Sequence, residues 1–199
     1  MDADFLRGRA AGAVVTAALR GGGRLVQIRA KGAADGAYLD MARQAVAAAR
    51  AGDAILIVND RPDVALLAGA GGVHLGQDDL APGDARRVLP GRPLLGLSTH
   101  DDAQVEAASR EPIDYVAVGP VFATRTKRDP HAAIGLAGVR AARARTRLPL
   151  VAIGGITADN AAAVIEAGAD GVAVVSAILA EDDVAAAVRR LRAVIGDTG

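Results

Sequence analysis

Lys31 and Lys127 are the only lysines among 23 Lys and Arg residues, and both stand in short polar loops just after runs that predict β-strands. An ammonium is a compact, strongly hydrated point charge, whereas a guanidinium is a planar fork. A chain built on arginine that keeps lysine at these two places has a use for point charges, and phosphate groups are bound by such charges. Other scarce polar residues follow the same pattern: Asn59, one of two asparagines, and Ser98 and Ser176, two of three serines, also stand at strand ends. In chain order the strand ends carry Gln27, Arg29 and Lys31, then Asn59 and Asp60, then Gln77, Asp78 and Asp79, then Ser98, Thr99 and His100. A long loop follows with Thr124, Arg125, Thr126 and Lys127, then Gly154 and Gly155, and finally Val175 and Ser176.

Arg29, Lys31 and Lys127 supply three cations, and Asp60 and Asp79 two carboxylates with no sulfur or paired histidine beside them. Cations opposite a hard-oxygen pair suit a Mg2+–diphosphate, in which the metal takes one or two carboxylates, phosphate oxygens and water. Asp60 could also be a helix N-cap ahead of Pro62, and Asp79 a turn or cap residue. Gly154-Gly155 and Ser176, each expected to open a helix, form a second anion site, because glycine admits close backbone approach and helix N-termini present N–H groups. Ordinary turn glycines would look the same. His74 lies within a strand and is expected to be buried and hydrogen-bonded. Ser98 with His100 two residues on suggests a Ser–His nucleophile, but neighbours on one strand end rarely give triad geometry. A helix-start or supporting role is expected for His100, and a polar loop holds His131.

These residues must be positioned by alternating strands and helices. Short apolar, β-branched runs predict strands at 25–29, 54–58, 72–75, 94–97, 115–118, 150–153 and 171–175. Consecutive apolar positions mark strands buried on both faces, as in parallel sheets. Ala-rich stretches at helical spacing, such as 38–50, 101–110, 136–144 and 158–167, lie between them, several ending at glycine (Gly52, Gly69, Gly168). The repeated closing loops, Gly69–Gly72 and Gly168–Gly171, favour a barrel of repeated units. The expectation is one α/β domain over 1–199: a lone helix in 1–20, then seven βα units over 25–195. This is a TIM (β/α)8-type barrel lacking its first strand, since too few residues precede the helix to supply it.

Composition removes several function classes. Zero net charge and only four aromatics (Phe5, Tyr38, Tyr115, Phe122) leave neither a basic surface nor a stacking platform for nucleic acid. The chain has no cysteine, which excludes disulfides, thiolate catalysis and zinc–sulfur sites. No apolar run nears the roughly 20 residues needed to span a bilayer, and Met1-Asp2-Ala3-Asp4 lacks a basic signal-peptide start. A cytoplasmic protein with small-molecule partners and no membrane partner is expected.

Seven segments, in order and with matching gaps over about 25–187, resemble thiamine phosphate synthase. They are Gln27-Ile28-Arg29-Ala30-Lys31, Val58-Asn59-Asp60, the run from Gly72 through His74 to Asp79, Gly96-Leu97-Ser98-Thr99-His100, the run from Gly119-Pro120 to Lys127, Ile153-Gly154-Gly155-Ile156, and Val174-Val175-Ser176-Ala177-Ile178. The family is a TIM barrel that joins hydroxymethylpyrimidine diphosphate to a thiazole phosphate, forming thiamine phosphate and releasing diphosphate. The resemblance implies that Gln27, Ile28, Arg29, Ala30, Lys31, Asn59, Ser98 and Lys127 hold the pyrimidine diphosphate, with Ser98 and Lys127 catalytic. It implies that Asp60 and Asp79 hold Mg2+, and that Thr124, Arg125, Thr126, Gly155, Val175 and Ser176 hold the thiazole phosphate. Family members begin with a strand much like Leu-Tyr-Leu-Val-Thr-Asp, and nothing in this sequence is read as its counterpart. The open edge that follows would be exposed or covered by self-association into a homo-oligomer. The related thiazole tautomerases carry a histidine where this chain has Pro120 and lack parts of the diphosphate set, which favours the synthase. A non-catalytic thiamine-precursor-binding paralogue is the alternative from another class.

Overall fold

Strands of this chain are apolar on consecutive positions because helices cover one face of the sheet and the other turns inward. The computed structural model describes residues 1–124 and 131–196. Within them lie seven strands: β1 Leu25–Ile28, β2 Ile55–Asn59, β3 Gly72–Leu75, β4 Leu94–Thr99, β5 Tyr115–Val118, β6 Leu150–Ile153 and β7 Gly171–Ala173. They form one parallel sheet in sequential order, β1 to β7, matching the seven strands expected, with ends shifted by one or two residues. The sheet is curled, and no pairing joins β7 to β1 among the described residues. Helices α1 Ala11–Arg20, α2 Asp35–Ala51, α3 Pro62–Ala68, α4 Pro82–Val88, α5 Asp102–Ala108, α6 Gly135–Arg145, α7 Ala161–Glu166, α8 Ser176–Leu179 and α9 Val184–Ile195 supply the covering layer. Val58, Val73, Leu75, Leu95, Val116 and Leu150, all essentially inaccessible, belong to the main core.

Three expectations need correction. The lone N-terminal helix is broken: a 3-10 turn covers Ala3–Phe5, and α1 starts only at Ala11. Arg7 and Gly8 between them adopt left-handed φ values of 52° and 77°, which a helix does not admit. The Arg9 guanidinium secures the break by donating to the carbonyls of Phe5 (3.2 Å), Leu6 (2.9 Å) and Leu179 (2.6 Å). Next, Met1–Ala3 are not merely helix approach. Asp2 bridges Arg29 in parallel, Ala3 N–H donates to Arg29 O (2.7 Å) and Arg29 N–H donates to Met1 O (2.9 Å). A short extended segment therefore runs beside the end of β1, within the span 1–20 for which a lone helix is expected. Finally, β7 stops at Ala173, because Val175 (φ −120°, ψ −75°) already turns into α8.

At the N-terminal ends of the strands, the same clamp occurs twice. Asp114 Oδ2 accepts the Leu95 N–H (2.7 Å) and pairs with Arg86 of α4 (2.6 Å). Asp170 Oδ2 accepts the Leu150 N–H (2.7 Å) and pairs with Arg143 of α6 (2.8 Å). Each aspartate stands just ahead of one strand and closes the first free N–H of the strand before it, so helix, turn and sheet are fixed together.

Candidate active site

Register decides which side chains share the inner face, since directly paired residues in a parallel sheet point the same way. Gln27 pairs with Ile57, and Ile57 with Gly72; Asn59 pairs with His74, His74 with Gly96, Gly96 with Tyr115, and Ser98 with Ala117. Gln27, Asn59, His74, Ser98 and Tyr115 thus share one face of the curled sheet. Ile28 and Ala30 point the other way and are buried, so any substrate contact from them is through the backbone.

Tyr38 of α2 ties the first two strand ends together. Its hydroxyl accepts the Asn59 N–H (3.2 Å) and lies 3.0 Å from Ile28 O and 2.9 Å from Asn59 O. Arg29 follows directly and is held by Asp2 (2.6 Å), whose side chain is 5% exposed against 22% for Arg29. Lys31 lies exposed two residues further on. After β2 the chain turns sharply. Asp60 takes a left-handed φ of 65° while its N–H donates to His74 O (2.8 Å). Asp79, after β3, folds back so that Oδ2 accepts the Gly76 N–H (2.6 Å).

The Asp60 and Asp79 carboxyls are in hydrogen-bonding contact, with Arg29 and Lys31 close enough to act on Asp60. Burial and then the neighbouring Asp79 push the Asp60 carboxyl up to about 6, while Arg29 and Lys31 oppose the rise. Two like charges in contact require a shared proton or a cation between them. Among the described residues there is no cluster of three or more His, Cys, Asp and Glu that could enclose a metal. A bare carboxylate pair fits Mg2+, which keeps open positions for phosphate oxygens and water.

Ser98 does not pair with His100. His100 Nδ1 lies 2.7 Å from Gly119 O, and its ring stacks on His131 at a centroid distance of 3.8 Å. The partner of Ser98 is His74, as buried as its sequence context predicted: Nε2 lies 2.8 Å from Ser98 Oγ and Nδ1 2.9 Å from the Tyr115 hydroxyl. The third group is a phenol and not a carboxylate, so the arrangement is no Ser–His–Asp triad.

The glycine loops also differ from expectation. Gly154-Gly155 does not open a helix, for α7 begins only at Ala161. Thr157 and Asn160 fill the interval with a turn in which Asn160 accepts the Thr157 N–H (2.9 Å) and donates to Gly155 O (3.1 Å). Gly155 (φ 64°) lies so close to the Phe122–Ala123 segment that an added Cβ would come within 2.7 Å of Ala123 O. The Gly155 loop and the half-buried Thr124 thus flank one region. Ser176, exposed, opens the four-residue α8 with Val175 as its N-cap. Arg125, Thr126 and Lys127 lie outside the described residues.

Asp2, Tyr38, Tyr115 and the His74 bridge were missed as site residues. The signal for Asp2 was available, because the family's first-strand pattern closes on an aspartate.

The sequence profile described as thiamine monophosphate synthase matches residues 2–178, starting at Asp2 and well upstream of Leu25. The thiamine-phosphate synthase of Chloroflexus aurantiacus is 50% identical over 197 residues, 99% of this chain and 91% of the relative. That of Methanoculleus marisnigri is 48% identical over 186 residues, 94% and 88% respectively. Among solved structures, a thiamine phosphate pyrophosphorylase from Pyrococcus furiosus superposes with a TM-score of 0.89 at 33% identity, covering 99% of this chain and 94% of that one. A 3-hexulose-6-phosphate synthase, at TM-score 0.70 and 20% identity, shares the fold alone.

Proposed function

This chain belongs to the thiamine monophosphate synthase family, and we propose from that premise that the strand-end face described above is where its reaction takes place. The reaction is a transfer: hydroxymethylpyrimidine diphosphate is joined to a thiazole phosphate, giving thiamine phosphate and diphosphate. The bond from the pyrimidine methylene carbon to the diphosphate oxygen breaks, and its electron pair leaves with the diphosphate. The ring stabilises the resulting cation, and the thiazole nitrogen lone pair then forms the new C–N bond. No enzyme nucleophile is needed, so the protein's work is to orient two substrates and offset charge on the leaving group.

In this reading Arg29, Lys31 and Lys127 face the diphosphate. Gln27, Asn59 and Ser98 hold the pyrimidine diphosphate by side chain, and Ile28 and Ala30 by backbone. Ser98 and Lys127 act at the leaving group. Thr124, Arg125, Thr126, Gly155, Val175 and Ser176 hold the thiazole phosphate. Asp60 and Asp79 would hold Mg2+, which when bound takes phosphate oxygens and offsets their charge as diphosphate departs. On the fold, the reading is a (β/α)8-type barrel whose first strand is represented by Met1–Ala3.

The observation that carries the metal reading is the contact of Asp60 with Asp79 on adjacent strand ends, within the field of Arg29 and Lys31. Asp60→Ala should lower diphosphate release by orders of magnitude and remove its Mg2+ dependence. Undiminished release in that variant, or in excess chelator, overturns the assignment.

A further inference from the structure

The reaction as described uses Ser98 but leaves the buried His74 and the half-buried Tyr115 unexplained. Tyr115 stands at the start of β5 and reaches across Gly96, where an added Cβ would lie 2.0 Å from Tyr115 Cζ. That missing side chain lets the phenol meet His74 Nδ1 at 2.9 Å, while Nε2 meets Ser98 Oγ at 2.8 Å. Gln77 Nε2 donates to Ser98 O (2.6 Å) and fixes the serine's backbone. A continuous chain of hydrogen bonds thus runs from the interior of the curled sheet to a hydroxyl at the strand ends.

We propose that Tyr115 and His74 are positioning residues: the Tyr115 hydroxyl donates to His74 Nδ1, so that the Nε2–H donates to Ser98 Oγ and turns the Ser98 proton outward to an oxygen of the substrate diphosphate. The inference rests on the reading that Ser98 contacts that diphosphate. The tautomer of a neutral imidazole is set by the bond its other nitrogen makes. Burial keeps the Tyr115 phenol protonated, and the Gln27 side chain beside it favours negative charge on the phenol oxygen, as an amide N–H pointing there would. The phenol proton is then left with His74 Nδ1 as its acceptor. The opposite tautomer would draw the Ser98 proton inward and present a lone pair to an anion, which repels it.

The chain has three histidines, so nitrogen NMR on the full, unmodified protein can read the His74 tautomer directly, with His74→Gln assigning the signal. The expected result is a protonated Nε2 and a bare Nδ1; a protonated Nδ1 overturns the proposal. Tyr115→Phe should move His74 toward the Nδ1–H form and lower kcat about tenfold or more, with KM for the pyrimidine diphosphate little changed. In a Ser98→Ala background the same substitution should cost almost nothing further, because the relay ends at that hydroxyl. Additive losses overturn the relay. An unchanged rate in Ser98→Ala itself, with the expected tautomer in place, overturns the substrate contact on which the proposal stands, so the two failures are distinguishable.

Discussion

At the level of single residues, the Asp60 and Asp79 carboxyls meet although both are acids, and among the described residues the half-buried Arg29 and the exposed Lys31 oppose the rise at Asp60. Without a cation this contact is a source of strain. Asp79→Asn keeps an oxygen for the Gly76 N–H and removes the repulsion, so in chelator the variant should melt above the parent chain. In Mg2+ the order should reverse: the metal raises the melting temperature of the parent, leaves the variant unmoved, and supports diphosphate release only in the parent. Equal Mg2+ stabilisation of both proteins would contradict this. Both aspartates were readable from the sequence because each follows an obvious strand. The Tyr115–His74–Ser98 chain was not readable, since a tyrosine at the start of a strand looks like ordinary core. The clue lay in Gly96, a residue without a side chain in the middle of β4.

Among the elements, α2 does more than cover the sheet, because its Tyr38 hydroxyl serves the backbones of both β1 and β2. Tyr38→Phe keeps the ring packing and removes the hydroxyl bonds to Asn59 N–H, Ile28 O and Asn59 O, of which Asn59 O keeps the Arg61 N–H (2.9 Å). A loss of about 1–3 kcal/mol is expected for such groups, measurable as a fall in denaturant midpoint. A drop in activity should accompany it, since Arg29 and Asp60 adjoin the loosened strand ends. The two Arg–Asp clamps offer a matched pair. The Arg86–Asp114 side chains are 13% and 35% exposed, the Arg143–Asp170 side chains 29% and 57%. Exposed ion pairs are screened and contribute little, so Asp114→Ala should destabilise more than Asp170→Ala. The reverse order would show that the Leu95 and Leu150 N–H bonds, and not the ion pairs, set the cost.

For the molecule as a whole, no strand among the described residues joins β1 to β7, the two edges of the sheet. Only the end of β1 has company, from Met1–Ala3, and Leu25 at its start is 53% exposed. Unpaired strand edges invite pairing with other chains. Extending the chain upstream of Met1 with an apolar strand in register with β1 should therefore raise the melting temperature and reduce self-association. Unchanged values in calorimetry and light scattering would show that the open edge costs this fold nothing.

The existence and order of the seven strands follow from the sequence, because burial on both faces demands apolar residues at consecutive positions and that pattern is local. The concentration of cations, carboxylates and hydroxyls at strand ends is equally local, so a candidate site could be proposed by reading those ends in order. Tertiary structure decided the contacts between them. Asp2 reaches Arg29 across 27 positions, His74 reaches Ser98 across 24, and Tyr115 reaches His74 across 41. Such pairs depend on strand register and on the curl of the sheet, which are fixed jointly by all the strands and written in none of them alone. The break after Phe5 has the same origin: Arg9 donates to the Leu179 carbonyl of α8, 170 positions away, as well as to the carbonyls of Phe5 and Leu6.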